Sequence, residues 1–109
     1  MIEVRHYATE SGRDVVSEWL VDLGDIRARA KVSVRIARLE AGNFGDCKPI
    51  CEGVWELRID WGPGYRVYYS VIGKTVVLLL CGGDKRTQST DTKRAIEYLK
   101  DYKKRTTKS

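Results

Sequence analysis

Apolar and polar residues alternate along two consecutive stretches in the second half of the chain. In Val54–Trp61 and in Tyr65–Val71, apolar residues recur at every second position, with charged or polar residues between them. Successive side chains of a strand point to opposite faces, so each stretch predicts a strand with one apolar face. Thr75–Cys81 is apolar on both sides, which indicates a strand at the centre of a sheet. Pro63 between two glycines and residues 72–74 predict the connecting turns.

Apolar residues at helical spacing predict two helices before these strands and one after them. Ser11, followed three residues later by Asp14, resembles a capping box that opens the first helix, and Asp25 can cap the second. The last helix is predicted to begin at Thr90 or Asp91. The second helix carries an apolar stripe, widened by Val32, Ile36 and Leu39, at Ile26, Ala30, Val34, Ala37 and Ala41.

An alternating run at Ile2–Tyr7 adds a first strand before the helices. Together the elements predict an α+β fold with a small antiparallel sheet of about four strands, in the order β-α-α-β-β-β-α. The first two helices form an α-hairpin on one face of this sheet, and a C-terminal helix follows the last strand. We expect a single domain over residues 1–109, with a basic tail at 103–109 that frays.

Composition and charge limit the classes of partner and compartment. The chain is 42% apolar and 32% charged, and its net charge of +5 favours anionic partners such as nucleic acid. No apolar run approaches the roughly 18 residues of a membrane helix, and the start lacks an apolar signal core, so no membrane partner is expected. Three cysteines without a framework pattern and a single histidine predict a cytoplasmic protein with no metal site and no cofactor.

Arginines within the alternating strands are the feature that points to function. If both apolar sets face the same side, Arg58 and Arg66 lie together on the other side, because a register slip would bury one of them without a partner. Lys85 and Arg86 follow the third of these strands. We therefore expect cations from separate strands to meet at one surface and to bind a polyanion. Alternatively, Arg58 pairs with an acidic neighbour on its own strand, and Lys85 and Arg86 belong to a solvated loop.

Four short motifs and one helix stand out in the region from Asn43 to Tyr102. They are Asn43-Phe44-Gly45-Asp46, E-L-R-I, G-P-G-Y-R-V-Y-Y and L-L-L-C-G-G-D-K, with the helix at 91–102. In combination they resemble the RelE/ParE toxin superfamily, and in particular its HigB-like branch of phage-derived addiction-module killer proteins. The resemblance covers nearly the whole chain. It implies a RelE-like, microbial RNase-like fold and the toxin of a type II toxin–antitoxin pair.

The activity that this resemblance implies is cleavage of messenger RNA in the ribosomal A site, through attack of the ribose 2′-hydroxyl on the adjacent phosphate. Such a protein is a ribosome-dependent endoribonuclease, or mRNA interferase, that blocks translation. By strand position, Arg58, Arg66 and Lys85 match the cations that surround the scissile phosphate. Glu56 and Tyr68, on the same strand face, are candidate proton carriers. The candidate RNA contacts are Arg86, Gln88, Lys74 and Tyr98.

The same resemblance implies three partners: the ribosome, its messenger RNA, and a cognate antitoxin of the helix-turn-helix type. Some HigB toxins use histidines in the central strand and near the carboxyl end, which this chain lacks, so no general base is carried over. His6, on the first strand, is interpreted as structural. Two other functions stay open. ParE-like members share the fold and inhibit DNA gyrase without catalysis, and an inactive relic would still bind its antitoxin.

Overall fold

A five-stranded mixed sheet with helices on both faces forms the structure, a computed structural model that describes residues 2–107. In chain order, the elements are β1 (Glu3–His6), α1 (Val15–Asp22), α2 (Ile26–Glu40), β2 (Cys47–Cys51), β3 (Val54–Ile59), β4 (Tyr65–Ile72), β5 (Val76–Asp84), a 3₁₀ turn (Lys85–Thr87) and α3 (Gln88–Thr106). The strands are arranged in the order β1-β5-β4-β3-β2. β1 runs parallel to β5, and all other neighbours are antiparallel.

The predicted α+β class is confirmed, with two corrections to the sheet. The sheet has five strands because Cys47–Cys51 pairs with β3 at one edge. The sequence pattern missed this strand because it is short and contains Pro49, a residue that cannot donate to the ladder and is confined to edges and bulges. The sheet is also mixed rather than antiparallel, since β1 pairs in parallel with β5, from Glu3 opposite Val76 to His6 opposite Leu79.

Helices cover both faces of the sheet. On one face, α1 and α2 cover a core cluster whose buried members are Val16, Val32, Leu39, Leu57, Ile59, Val67, Tyr69, Val77 and Leu79. On the other face, α3 covers a second cluster whose buried members include Val54, Tyr68, Leu78, Leu80, Ala95 and Leu99. β5 contributes to both clusters, as its two apolar sides predict. The face that carries the polar positions of β3 and β4 is therefore partly covered by α3.

The helix starts differ in part from those predicted. The N-cap of α1 is Asp14 rather than Ser11, and its carboxylate accepts a backbone N–H of the first turn. Asp25 caps α2 as predicted, because its side chain also accepts a backbone N–H of its helix. α3 starts at Gln88, earlier than Thr90, because the 3₁₀ turn leads into it without a break.

The apolar stripe predicted for α2 is only partly the buried one. Ala28, Val32 and Leu39 are buried against the sheet, whereas Ile26 is 76% exposed and Val34 is 50% exposed. Apolar residues of α2 occur on several sides of the helix, so their spacing alone does not determine which of them face the sheet. The stripe that begins at Ile26 lies in solvent instead.

The basic tail predicted at 103–109 is helical over residues 103–106, where it forms the last turn of α3. Residues 108 and 109 lie outside the described part of the chain. Within residues 2–107, no helix is both long enough and apolar enough to cross a membrane.

Two adjacent glycines let helices approach β5 from both sides. A Cβ atom on Gly82 would lie 2.3 Å from the ring of Trp19 in α1, and one on Gly83 would lie 1.8 Å from the carboxylate of Asp91 in α3. Both distances are far below van der Waals contact, so any side chain here would force Trp19 or Asp91 to move. This glycine pair therefore sets the spacing of the helices at the strand that leads to Lys85.

We expect Gly82→Ala to lower the free energy of unfolding by about 1–3 kcal/mol, because the added methyl group overpacks the contact with Trp19. Urea denaturation measures this change. The matched control is Gly24→Ala, at a position where a Cβ atom meets nothing within 4 Å. The control should stay within about 0.5 kcal/mol of the wild type. Equal stability of the two variants would contradict the close-packing role of Gly82.

Candidate anion-binding site

Arg58 and Arg66 are direct cross-strand neighbours in the β3–β4 hairpin. The register places Leu57 opposite Val67 and Arg58 opposite Arg66. Cross-strand partners point to the same face, so the prediction that both arginines share the face opposite the α-hairpin is confirmed. Like charges that face each other destabilise a sheet, and in this hairpin a carboxylate lies beside each guanidinium.

Both arginines line a cleft of about 450 Å³ at the end of the hairpin. The Gly62–Gly64 turn and Lys85, just beyond β5, line the same cleft. The backbone N–H of Lys85 donates to the carbonyl of Gly64 at 2.9 Å, which fixes the loop after β5 against the hairpin turn. Three of the cations expected to converge from separate strands thus line a single cleft, and Arg86 does not.

The buried carboxylate of Glu56 contacts the guanidinium of Arg66. Nε of Arg66 lies 2.5 Å from Oε1 of Glu56, whose side chain is fully buried, while that of Arg66 is 13% exposed. The N–H bond is not directed at this oxygen, so the contact is an ion pair rather than a hydrogen bond. Removal of one partner from such a pair typically costs about 3–5 kcal/mol, because the other charge is left unpaired. The same Oε1 accepts a hydrogen bond from Nε2 of Gln88 at 2.9 Å. The side-chain amide of Gln88 is therefore hydrogen-bonded within the protein itself.

Arg58 pairs with Asp46 rather than with an acid on its own strand. Its Nη2 donates to Oδ1 of Asp46 at 2.8 Å, and its Nε donates to the same atom at 3.2 Å. These hydrogen bonds raise the pKa of Arg58 above its ordinary value. Both side chains are substantially exposed, and exposed pairs contribute little to stability. An incoming anion can therefore replace Asp46 at low cost.

Arg35 of α2 fixes the segment that presents Asp46. Its guanidinium donates to the carbonyl oxygens of Arg58 at 2.6 Å, Phe44 at 3.1 Å and Asp46 at 3.3 Å. Gly45, with φ of 63°, makes this possible, since a Cβ there would lie 2.9 Å from Nη2 of Arg35. The sequence pattern predicts no role for Arg35 or Asp46. The available signal was the glycine that precedes Asp46 in its motif.

Asp84 organises the cations that follow β5. Its carboxylate accepts the backbone N–H of Arg86 at 2.8 Å and pairs with the guanidinium of Arg86 at 2.9 Å. These interactions with Arg86 hold the pKa of Asp84 below its ordinary value. Arg86 does not line the cleft, whereas Lys85 does. These two cations, adjacent in the sequence, therefore have different surroundings.

Besides Arg86 and Gln88, four more of the predicted site residues do not line the cleft. Glu56 and Tyr68 are fully buried, so neither can reach a substrate as a proton carrier. Burial also raises the pKa of Tyr68 well above its ordinary value. Lys74 lies in the turn between β4 and β5, at the other end of β4 from the cleft. Tyr98 stacks on Tyr7, with ring centroids 4.8 Å apart.

Carboxylates as well as cations line the cleft. Asp46 and Asp60 accompany Arg58, Arg66 and Lys85, so the net charge of the lining is only slightly positive. Binding of an anion here would thus depend on the fork geometry of two guanidinium groups rather than on total charge. Within residues 2–107, no group of three or more His, Cys, Asp or Glu side chains could hold a metal ion.

Comparisons with known proteins cover the region of the cleft. A family model described as "Phage derived protein Gp49-like (DUF891)" matches residues 18–103, which include every residue that lines the cleft. The chain is also similar to an "Uncharacterized protein" of Haemophilus influenzae strain Rd. The two are 54% identical over 77 residues, which are 71% of this chain and 78% of that protein.

We expect Asp46→Asn to strengthen the binding of inorganic phosphate by about two- to fivefold, because Arg58 loses the carboxylate that competes with the anion. A titration followed by the NMR signals of the arginine side chains measures this affinity. The matched control is Asp22→Asn, which changes an exposed acid of α1 outside the cleft and should leave the affinity unchanged. Equal phosphate affinity in both variants would show that Asp46 does not compete.

Proposed function

The chain belongs to the family of Gp49-like phage-derived proteins, a family of the toxin–antitoxin type, and we propose that it is a HigB-like toxin of the RelE/ParE superfamily that cleaves messenger RNA on the ribosome. Family membership supports the toxin class. The observation that carries the enzymatic part of the proposal is the cleft that Arg58, Arg66 and Lys85 line together.

A phosphodiester in this cleft would meet the donors that RNA cleavage requires. Attack of the 2′-hydroxyl on the adjacent phosphate forms a bond from the 2′-oxygen to phosphorus and breaks the bond from phosphorus to the 5′-oxygen of the next nucleotide, which leaves as a hydroxyl after taking up a proton. Negative charge increases on the phosphoryl oxygens in the transition state. A guanidinium stays charged and can bind two phosphate oxygens with its planar fork. Arg58 and Arg66 take this role because they face each other across one cleft. Lys85 adds a third positive charge.

Asp46 is the carboxylate that we assign to proton transfer. Its side chain lines the cleft and is 54% exposed, in contrast to the buried Glu56. When Arg58 binds a phosphate, Asp46 is released from its ion pair and becomes free to accept a proton from the 2′-hydroxyl. The Asp46–Arg58 pair thus keeps both groups at the cleft until an anion separates them.

The proposed activity implies partners for substrate positioning and for control. The ribosome would position the message, because a cleft of about 450 Å³ offers few groups for reading bases. A toxin of this type is paired with an antitoxin. We propose that a helix-turn-helix antitoxin blocks the cleft or makes a complex too large for the ribosomal A site. With these partners, the proposed site of action is the cytoplasm.

Expression in bacteria tests the activity, with Arg58→Ala as the decisive variant. Wild-type protein should arrest translation and leave messages cut within codons. Arg58→Ala should reduce cleavage by about 100-fold, because one phosphate ligand is lost, while its exposed position leaves folding intact. The matched control is Lys74→Ala, which removes the same charge from the far end of β4 and should remain toxic.

Other outcomes distinguish the competing functions. An SOS response with intact messages would identify a gyrase inhibitor of the ParE type. Harmless expression of folded wild-type protein would identify an inactive relic that binds its antitoxin. Full cleavage by Arg58→Ala would remove this arginine from the mechanism.

A further inference from the structure

Glu56 is a carboxylate in an unusual position, because its side chain has no exposed surface and lies in the middle of β3. A buried charge is unfavourable unless it is paired and hydrogen-bonded. Both interactions of Glu56 use Oε1, which contacts Nε of Arg66 at 2.5 Å and accepts from Nε2 of Gln88 at 2.9 Å. Within residues 2–107, its Oε2 has no hydrogen-bond partner. Its carboxylate is thus directed at Arg66 and Gln88 and away from solvent.

The contact with Glu56 determines which edge of the Arg66 guanidinium is free. Nε faces the buried carboxylate, while Nη1 lies 3.5 Å from the carbonyl of Gly64, in the turn that lines the cleft. A guanidinium presents its donors as a rigid fork, so the contacts at Nε and at Nη1 together fix the direction of the terminal nitrogens. The terminal donors of Arg66 are therefore oriented at the cleft before any anion arrives.

Gln88 links this ion pair to α3. It is the first residue of the helix, and its side chain is only partly exposed. The start of α3 is itself fixed, since Asp84 and Thr87 form a capping box and the carboxylate of Asp91 packs on Gly83. The position of α3 is thereby transmitted through Gln88 and Glu56 to Arg66.

Arg66 needs such a support because Arg58 lies directly opposite it. Two facing guanidinium groups repel each other, and an unsupported side chain would move away from its neighbour. Asp46 offsets the charge of Arg58 from the exposed side of the cleft, whereas Glu56 offsets that of Arg66 from the buried side. An anion can displace the first carboxylate from its arginine but cannot reach the second.

We propose that Glu56 and Gln88 are positioning residues for Arg66, an inference that rests on the proposed role of the cleft in RNA cleavage. They touch no substrate. They hold the guanidinium of Arg66 in the orientation that binds the scissile phosphate in the transition state. Their effect should therefore fall on the rate of cleavage by the bound complex rather than on binding to the ribosome.

Single-turnover cleavage on programmed ribosomes separates these two quantities. Glu56→Gln should lower the saturating rate constant by about 100-fold, as expected when a catalytic group is displaced, while the half-saturating toxin concentration changes by less than about threefold. Gln88→Ala, which keeps the ion pair, should lower the same rate constant by about tenfold. Glu97→Gln, the matched control, removes an exposed carboxylate of α3 and should cleave as the wild type does.

A merely structural role for Glu56 predicts a different result. The fraction of folded protein, read from thermal unfolding, would then fall, and the rate constant per folded molecule would not change. That result, or a wild-type rate constant in a folded Glu56→Gln variant, would overturn the proposal. If Glu56→Gln fails to fold, Gln88→Ala decides: a wild-type rate constant in that variant would overturn the proposal in the same way.

The NMR signal of the Arg66 Nε–H group tests the positioning without any cleavage assay. It should exchange slowly with water in the wild type and in Glu97→Gln, and it should be lost in Glu56→Gln. Inorganic phosphate should shift the Arg66 signals strongly in the wild type and only weakly in Glu56→Gln. Identical signals and shifts in both proteins would overturn the positioning role. A wild-type protein that cleaves nothing but shows the expected signals would contradict the proposed function alone.

Discussion

The register of the β3–β4 hairpin is the constraint on which the whole site depends. Leu57 and Val67 face each other within the core beneath α1 and α2, which decides the face that every residue of both strands takes. Because side chains alternate with a period of two, a slip of one strand by one residue would move one of the two arginines into that core. Core packing therefore forces the two arginines together. The two carboxylates beside them follow from the need to offset facing positive charges.

The start of α3 converts this sheet face into a cleft. Under the helix, the face is dry and holds Glu56 and Tyr68, both fully buried. At Gln88, where the helix begins, the covered region ends beside the ion pair of Arg66. A charge interaction at such a boundary is stronger than in water, because the local dielectric constant is lower. Arg66 is thus contacted by Glu56 on the side from which water is excluded, and it lines the solvent-filled cleft on its other side.

Local patterns in the sequence predicted the hairpin, the shared face of the two arginines and the order of the predicted elements. They could not predict what covers that face, because the apolar spacing of α3 is the same whichever side of the sheet it packs on. For this reason the alternating pattern predicts Glu56 as a candidate proton carrier on the same face as the arginines, whereas the structure buries it. The contact of Asp46 with Arg58 could not be predicted from local patterns either, because it depends on Arg35, which holds the Asp46 loop from a distant helix. The nearby edge strand β2 was not predicted because it contains Pro49.

We propose that Arg58 and Arg66 bind one phosphate together. A double-mutant cycle on the affinity for a 2′-deoxy RNA dinucleotide, which has one phosphodiester and cannot be cleaved, tests it most directly. We expect the losses in Arg58→Ala, Arg66→Ala and the double variant to be non-additive by at least about 0.5 kcal/mol, because both side chains contact the same group. Additive losses, or no loss in either single variant, would contradict a shared phosphate site.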